Sequence, residues 1–129
     1  MGRGNSAPGK GFAGAEHRFV AAARAIPATT GAVHRFLDLE EFDAEVAAQV
    51  TVIQASIEEF ATVAEEEDGE ASELARGAVE DGKRALRAIN SFKAAIIVSN
   101  DLVDAKTALD DLDEEVDDLE AKVARWNNL

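Results

Sequence analysis

Between Arg35 and Arg76 the chain carries thirteen acids and no basic residue, and four of those acids stand together in Glu65-Glu66-Glu67-Asp68-Gly69. Clustered carboxylates ahead of a glycine are the ingredients of a calcium loop. An EF-hand with Gly69 at its sixth position would place Ala64 first and Ala75 twelfth, where the ion needs acidic oxygen ligands. The segment therefore reads as a solvated acidic turn. His17 and His34 are the two histidines. A di-iron bundle requires Glu-x-x-His pairs, and Gly14 and Gly31 occupy the glutamate places. Gly2, Gly4, Gly9, Gly11 and Gly14 lack the lysine and following hydroxyl residue of a phosphate loop, and no apolar strand precedes them. With no cysteine and five scattered serines, no nucleophile is placed beside a base. Met1-Gly2-Arg3-Gly4-Asn5-Ser6 fits the loose myristoylation pattern, which a glycine-rich terminus meets by chance. No catalytic residue, cofactor site or metal site is expected, and the chain is read as not an enzyme.

What remains is architecture. The 129 residues suffice for one domain with a modest core, and 47% apolar content sets the chain apart from disordered compositions. Abundant alanine and only two prolines favour helix. No apolar run nears the roughly 20 residues of a membrane span, and no apolar signal segment is visible. A soluble protein is expected, in a particle or in the cytoplasm.

Charge divides the chain unevenly. Residues 1–35 carry Arg3, Lys10, Arg18, Arg24 and Arg35 against Glu16, a net of +4; the total is −13, so residues 36–129 carry −17. Residues 1–14, with five glycines, read as a flexible basic arm. Arg3, Lys10 and Phe12 are its candidate contacts with a neighbouring subunit. Residues 15–37 read as a short helix, striped by Phe19, Ala23 and Ile26 and stopped by Pro27, and then a loop.

The body, 38–129, reads as a long-helix hairpin or a three-helix bundle. In 38–67 the stripe runs Leu39, Phe42, Val46, Val50, Ile53, Ile57, Phe60, Ala64, the three-and-four spacing of an amphipathic helix. In 71–98 the stripe includes Leu74, Ala78, Leu86, Ile89, Phe92 and Ile96. Gly77 and Gly82 weaken its start by about 1 kcal/mol each relative to alanine. A hairpin at Gly69 would lay the cations Arg76, Lys83, Arg84, Arg87 and Lys93 along the acidic helix before it. The third segment, 101–127, is a heptad helix. Leu102, Leu109, Val116 and Val123 fall at a, and Ala105, Leu112, Leu119 and Trp126 at d, so all eight seam positions are apolar. Asn100 or Asp101 could cap this helix. The lack of glycine or proline at residues 99–101 favours one continuous or kinked helix, about 85 Å long at about 1.5 Å per residue. The fold class is all-α: a helical hairpin or bundle with a C-terminal coiled-coil-like helix.

A continuous last helix would be about twice the length of the first stripe, leaving half its seam for another chain. Self-association follows as an expectation, with Leu102, Leu109, Leu112, Val116, Leu119, Val123 and Trp126 as the oligomerisation seam. In a parallel homodimer Asp101 would attract Lys106, whereas Glu115 would repel Glu120. The expected function is that of a non-enzymatic assembly protein, for instance a small connector, tail or decoration subunit of a virus or phage particle. Its partners would be further copies or neighbouring subunits. The alternative is an acidic helical adaptor that binds a basic protein. Five cations spread over residues 1–35 are a thin nucleic-acid footprint beside a −17 body, and neither nucleic acid nor membrane is an expected partner.

Overall fold

The computed structural model describes residues 8–35 and 39–129, with side chains described over 11–27 and 39–129. Four helices follow one another: α1 (Pro8–Arg35), α2 (Leu39–Glu66), α3 (Gly69–Ala94) and α4 (Leu102–Asn127). Each packs antiparallel on the next, and α1 also meets α4, closing an up-down-up-down four-helix bundle whose α1–α4 edge is the slightest. The chain is all-α, as its stripes require.

Five phenylalanines carry the middle of the core. Phe12, Phe19, Phe42, Phe60 and Phe92 are all fully buried, each stabilising by about 1.5–3 kcal/mol relative to exposure. Phe12 meets Phe60 edge-on at 5.3 Å between ring centroids and Trp126 at 4.5 Å. At the opposite end Phe42 meets Phe92 at 5.8 Å. Phe12 lies within the expected arm and Trp126 within the expected seam, so these contacts join α1 to both α2 and α4.

Two boundaries differ from the sequence reading. Pro8–Gly14 is the first stretch of α1 rather than part of an arm. Proline suits the first helical turn, where its missing N–H has no acceptor to lose, and burying Phe12 offsets the glycines that follow. Residues 1–7, Arg3 among them, and the Lys10 side chain lie outside the described residues. Pro27 also sits inside α1 instead of ending it. A mid-helix proline removes one backbone hydrogen bond and costs about 3 kcal/mol. The buried stripe of Phe19, Ala22, Ala23 and Ile26 immediately before it supplies packing that compensates.

The joint between the last two helices is a turn, not a continuous or kinked helix. Ala95–Ser99 widens to a π turn. Asn100 then takes the left-handed conformation, φ 50° and ψ 42°. The Asp101 N–H donates to the Ala95 carbonyl at 2.9 Å. The Asp101 carboxylate accepts from the Val103 and Asp104 N–H groups at 3.0 and 3.1 Å, capping α4. Asparagine is the residue after glycine that best tolerates this conformation at a helix end. At the α2–α3 joint glycine itself does so: Gly69 has φ 60°.

Candidate functional site

The turn at Asn100 folds α4 back on α3, and this decides the fate of the seam. Ala105, Leu112, Val116, Leu119 and Trp126 are buried within one chain, while Leu109 and Val123 are half-buried against the same core. Leu102 alone among the seam residues is more exposed than buried, at 53%. Of the expected arm contacts, Phe12 is seated inside its own chain. The length mismatch that called for a second chain is gone, because α4 is about as long as α1, α2 and α3.

Between α3 and α4 lies the densest cluster of charge, centred on Asp81, which is fully buried. A buried carboxylate is costly unless paired, and two cations meet it. Arg84, one turn along α3, donates from a terminal guanidinium nitrogen to Asp81 Oδ1 at 2.6 Å. Its Nε donates to Glu115 Oε1 on α4 at 3.0 Å. Lys122 Nζ lies 2.8 Å from Asp81 Oδ2, an ion pair at an angle that makes no hydrogen bond. The hydrogen bond to Glu115, more than the charges of Glu115 and Asp81, holds the Arg84 guanidinium above its ordinary pKa.

Two glycines of α3 stand at close approaches, and one of them opens the way into this cluster. A Cβ on Gly77 would stand 2.5 Å from Lys122 Cε, so its absence opens the path by which the lysine stem crosses α3 to Asp81. A Cβ on Gly82 would stand 2.5 Å from Ile57 Cγ1 and 3.4 Å from Phe19 Cε2. There α3 approaches α2 and α1 too closely for any side chain. The two residues that weaken the helix locally are the ones that let it pack.

Asp81, Glu115 and Asp118 together offer three carboxylate oxygens within 4.8 Å of one another, a ligand set suited to a hard divalent cation. Arg84 and Lys122 already occupy the space and supply two positive charges against three negative ones. A metal would have to displace one of them. The arrangement neutralises a buried acid, fastens α4 to α3, and presents no nucleophile or poised proton donor.

A second group lines a cleft of about 220 Å³ between α1 and α4, where Glu16, His17 and Arg24 face Glu120. Arg24 reaches Glu120 at 3.2 Å. Partial burial, and then the Glu120 charge, raise the Glu16 pKa above the ordinary carboxylate value, with His17 and Arg24 acting in the opposite sense.

The cations of the bundle are largely engaged between helices. Arg18 pairs with Glu59 at 2.7 Å, Lys93 with Asp43 at 2.9 Å, and Arg125 with Glu70. The expected alignment of the basic cluster of α3 along α2 is met only by Lys93. Arg84 turns to α4, Lys83 pairs with Glu80 on its own helix at 3.6 Å, and Arg76 and Arg87 make no ion pair among the described residues. The outer face of α4 is left with exposed Asp113, Glu114 and Asp117, and Asp118 is exposed at its edge beside the Asp81 cluster. Nearby, Asp110 has Lys106 at 3.3 Å.

Asp81 was not singled out by sequence. Its signal was an acid on the apolar stripe of 71–98, three residues after Ala78 and four before Ala85, with Arg84 one turn on. Comparison of the chain with protein-family models, with curated proteins and with solved structures finds no match.

Proposed function

We propose that this protein is a non-catalytic helical binding module that offers the acidic outer face of α4 to a basic protein segment. One observation carries the reading. Asp113, Glu114, Asp117 and Asp118 are exposed along one side of α4 and make no ion pair among the described residues, while Arg84, Lys122 and Arg125 bridge to other carboxylates and the unpaired Arg87 lines a groove with Glu114. Such a face attracts a lysine- or arginine-rich segment over a Debye length and loses its reach as salt rises.

The test is fluorescence anisotropy of a labelled lysine- and arginine-rich peptide. Replacing Asp113 and Asp117 and Asp118 by Asn and Glu114 by Gln should weaken binding more than tenfold. Neutralising Glu40, Glu45, Glu58 and Glu65 on α2, an equal change in charge, should weaken it only slightly. Equal losses from both sets would reduce the effect to net charge and remove the site. Self-assembly, the other reading, loses its seam to the interior of the chain and depends on a different surface.

A further inference from the structure

Aspartate followed by glycine is prone to close a succinimide ring, because glycine leaves its own nitrogen unshielded and its backbone free to turn. The chain contains two such pairs, Asp68-Gly69 and Asp81-Gly82, and each follows a glutamate. As sequence they are nearly alike, and the fold separates them. Asp81 is fully buried, with Arg84 on Oδ1 at 2.6 Å and Lys122 2.8 Å from Oδ2. Gly82 lies inside α3, so its nitrogen is committed to the helical ladder of hydrogen bonds. Ile57 stands 2.5 Å from where its Cβ would be. Ring closure at Asp81 therefore requires α3 to open.

Asp68 differs on each count. It is exposed, and its side chain makes no capping hydrogen bond. Glu67 and Asp68 alone separate α2 from α3. Gly69 is the first residue of α3, where the N–H has no acceptor within the helix. No atom stands within 4 Å of where its Cβ would be, so the space beside the nitrogen is open. Asp68 is extended, with φ −120° and ψ 166°, and the ring closes only when the peptide plane between the two residues turns. Gly69, at φ 60°, is free to take up the compensating rotation. Nor does the hairpin hang on this peptide. The buried Ser72 hydroxyl donates to the Ala64 carbonyl at 2.7 Å, whereas the Ser72 N–H meets the Asp68 carbonyl only at 3.5 Å.

We propose that Asp68 is a site of spontaneous modification, isomerising to isoaspartate in the folded protein while Asp81 is protected. The reaction needs water alone. The Gly69 nitrogen attacks Asp68 Cγ and forms a C–N bond; its proton passes to solvent, and a carboxyl oxygen leaves as water. Water then reopens the succinimide. Addition at the side-chain carbonyl returns aspartate. Addition at the backbone carbonyl breaks the original peptide bond and leaves the chain running through Cβ and Cγ, longer by one methylene, with the α-carboxylate as the new side group. The Ser72 clasp spans the altered link, so the isomerised chain keeps its helices.

The test is to hold the folded protein at neutral pH and physiological temperature for weeks. Isoaspartate is then quantified by isoaspartyl methyltransferase with S-adenosylmethionine, and located by peptide mapping with electron-transfer fragmentation. Isoaspartate at position 68 should exceed that at position 81 at least about tenfold, because Asp81 reacts only when α3 opens. In urea both sites should isomerise at similar rates. Asp68→Asn, which closes the same ring with loss of ammonia, should convert from amide to acid in the folded protein, with helical circular dichroism unchanged throughout. Equal isoaspartate at the two positions of the folded protein overturns the proposal. So does a folded chain that forms none at position 68 while the chain in urea forms it at both, or an Asp68→Asn variant that keeps its amide while folded.

Discussion

Gly82→Ala sets helix propensity against packing at a single atom. Alanine is the better helix former by about 1 kcal/mol, so in a loosely packed helix the change would stabilise. In this bundle the added methyl would stand 2.5 Å from Ile57 Cγ1, 2.8 Å from Ile57 Cδ1 and 3.4 Å from Phe19 Cε2. Ile57 sits on α2, Phe19 on α1, and Phe19 is fully buried. Overpacking of this kind costs about 1–3 kcal/mol, because an interior at crystal-like density has no room for displaced groups. The balance is a net loss of about 1 kcal/mol, or roughly 4 °C in Tm for a domain of this size. Urea and thermal unfolding, followed by helical circular dichroism and Trp126 fluorescence, measure it. Gly77→Ala is the internal control. There the obstacle is the far end of a lysine side chain, which can swing aside, so the propensity gain roughly cancels the loss of the Lys122–Asp81 pair. A Gly82→Ala variant more stable than wild type by about 1 kcal/mol would refute the close three-helix contact and with it the register of α3 against α2.

Leu112→Asp should destabilise the monomer by about 3–5 kcal/mol, the cost of an uncompensated buried charge, seen as a lower urea midpoint; dissociation with full helicity and unchanged stability would return the seam to an intersubunit role. Asp101→Ala should remove about 1 kcal/mol by leaving the Val103 and Asp104 N–H groups without their acceptor, again read in the urea midpoint. Glu16→Gln tests the α1–α4 cleft. A folded carboxyl with a raised pKa favours folding most at low pH and loses that contribution as pH rises through its raised value. The glutamine variant should therefore be more stable than wild type at neutral pH, and the advantage should shrink to nothing as pH falls below the ordinary carboxylate range. An advantage independent of pH would mean that the effect is packing, not ionisation.

Much of this fold was legible as periodicity. The stripes through Phe42, Ile53, Phe60 and Ala64, and through Ala78, Ile89 and Phe92, are the buried faces of α2 and α3. The heptad register marks the buried face of α4, although the pattern was silent about which chain would cover it. That depended on the joint. Asn100 followed by Asp101 is a residue tolerant of positive φ placed before a good N-cap, a stop-and-start signal outweighed in the sequence reading by the lack of glycine or proline. Gly9, Gly11 and Gly14 similarly suggested an arm, because local propensity takes no account of Phe12 reaching Phe60 and Trp126. Pro27 suggested a stop for the same reason. Asp81 was hidden because its role exists only when α4 brings Lys122 and Glu115 to it. Gly77 and Gly82 were visible as local weaknesses, and only the neighbouring helices reveal them as points of close approach.

The central claim is that α4 turns back at Asn100 and closes onto α3 within one chain. Glu73→Cys near the start of α3 and Ala124→Cys near the end of α4 are both exposed, and the chain has no other cysteine. Nitroxide labels at these sites, in a sample diluted with unlabelled protein so that only intramolecular pairs contribute, give the distance by double electron–electron resonance. Packed neighbouring helices have axes about 8–10 Å apart, so a narrow distribution within about 30 Å, label arms included, is the result this account requires. A continuous helix through residues 99–101 would separate the labels by about 75 Å at about 1.5 Å per residue. That result would reopen the seam to a second chain.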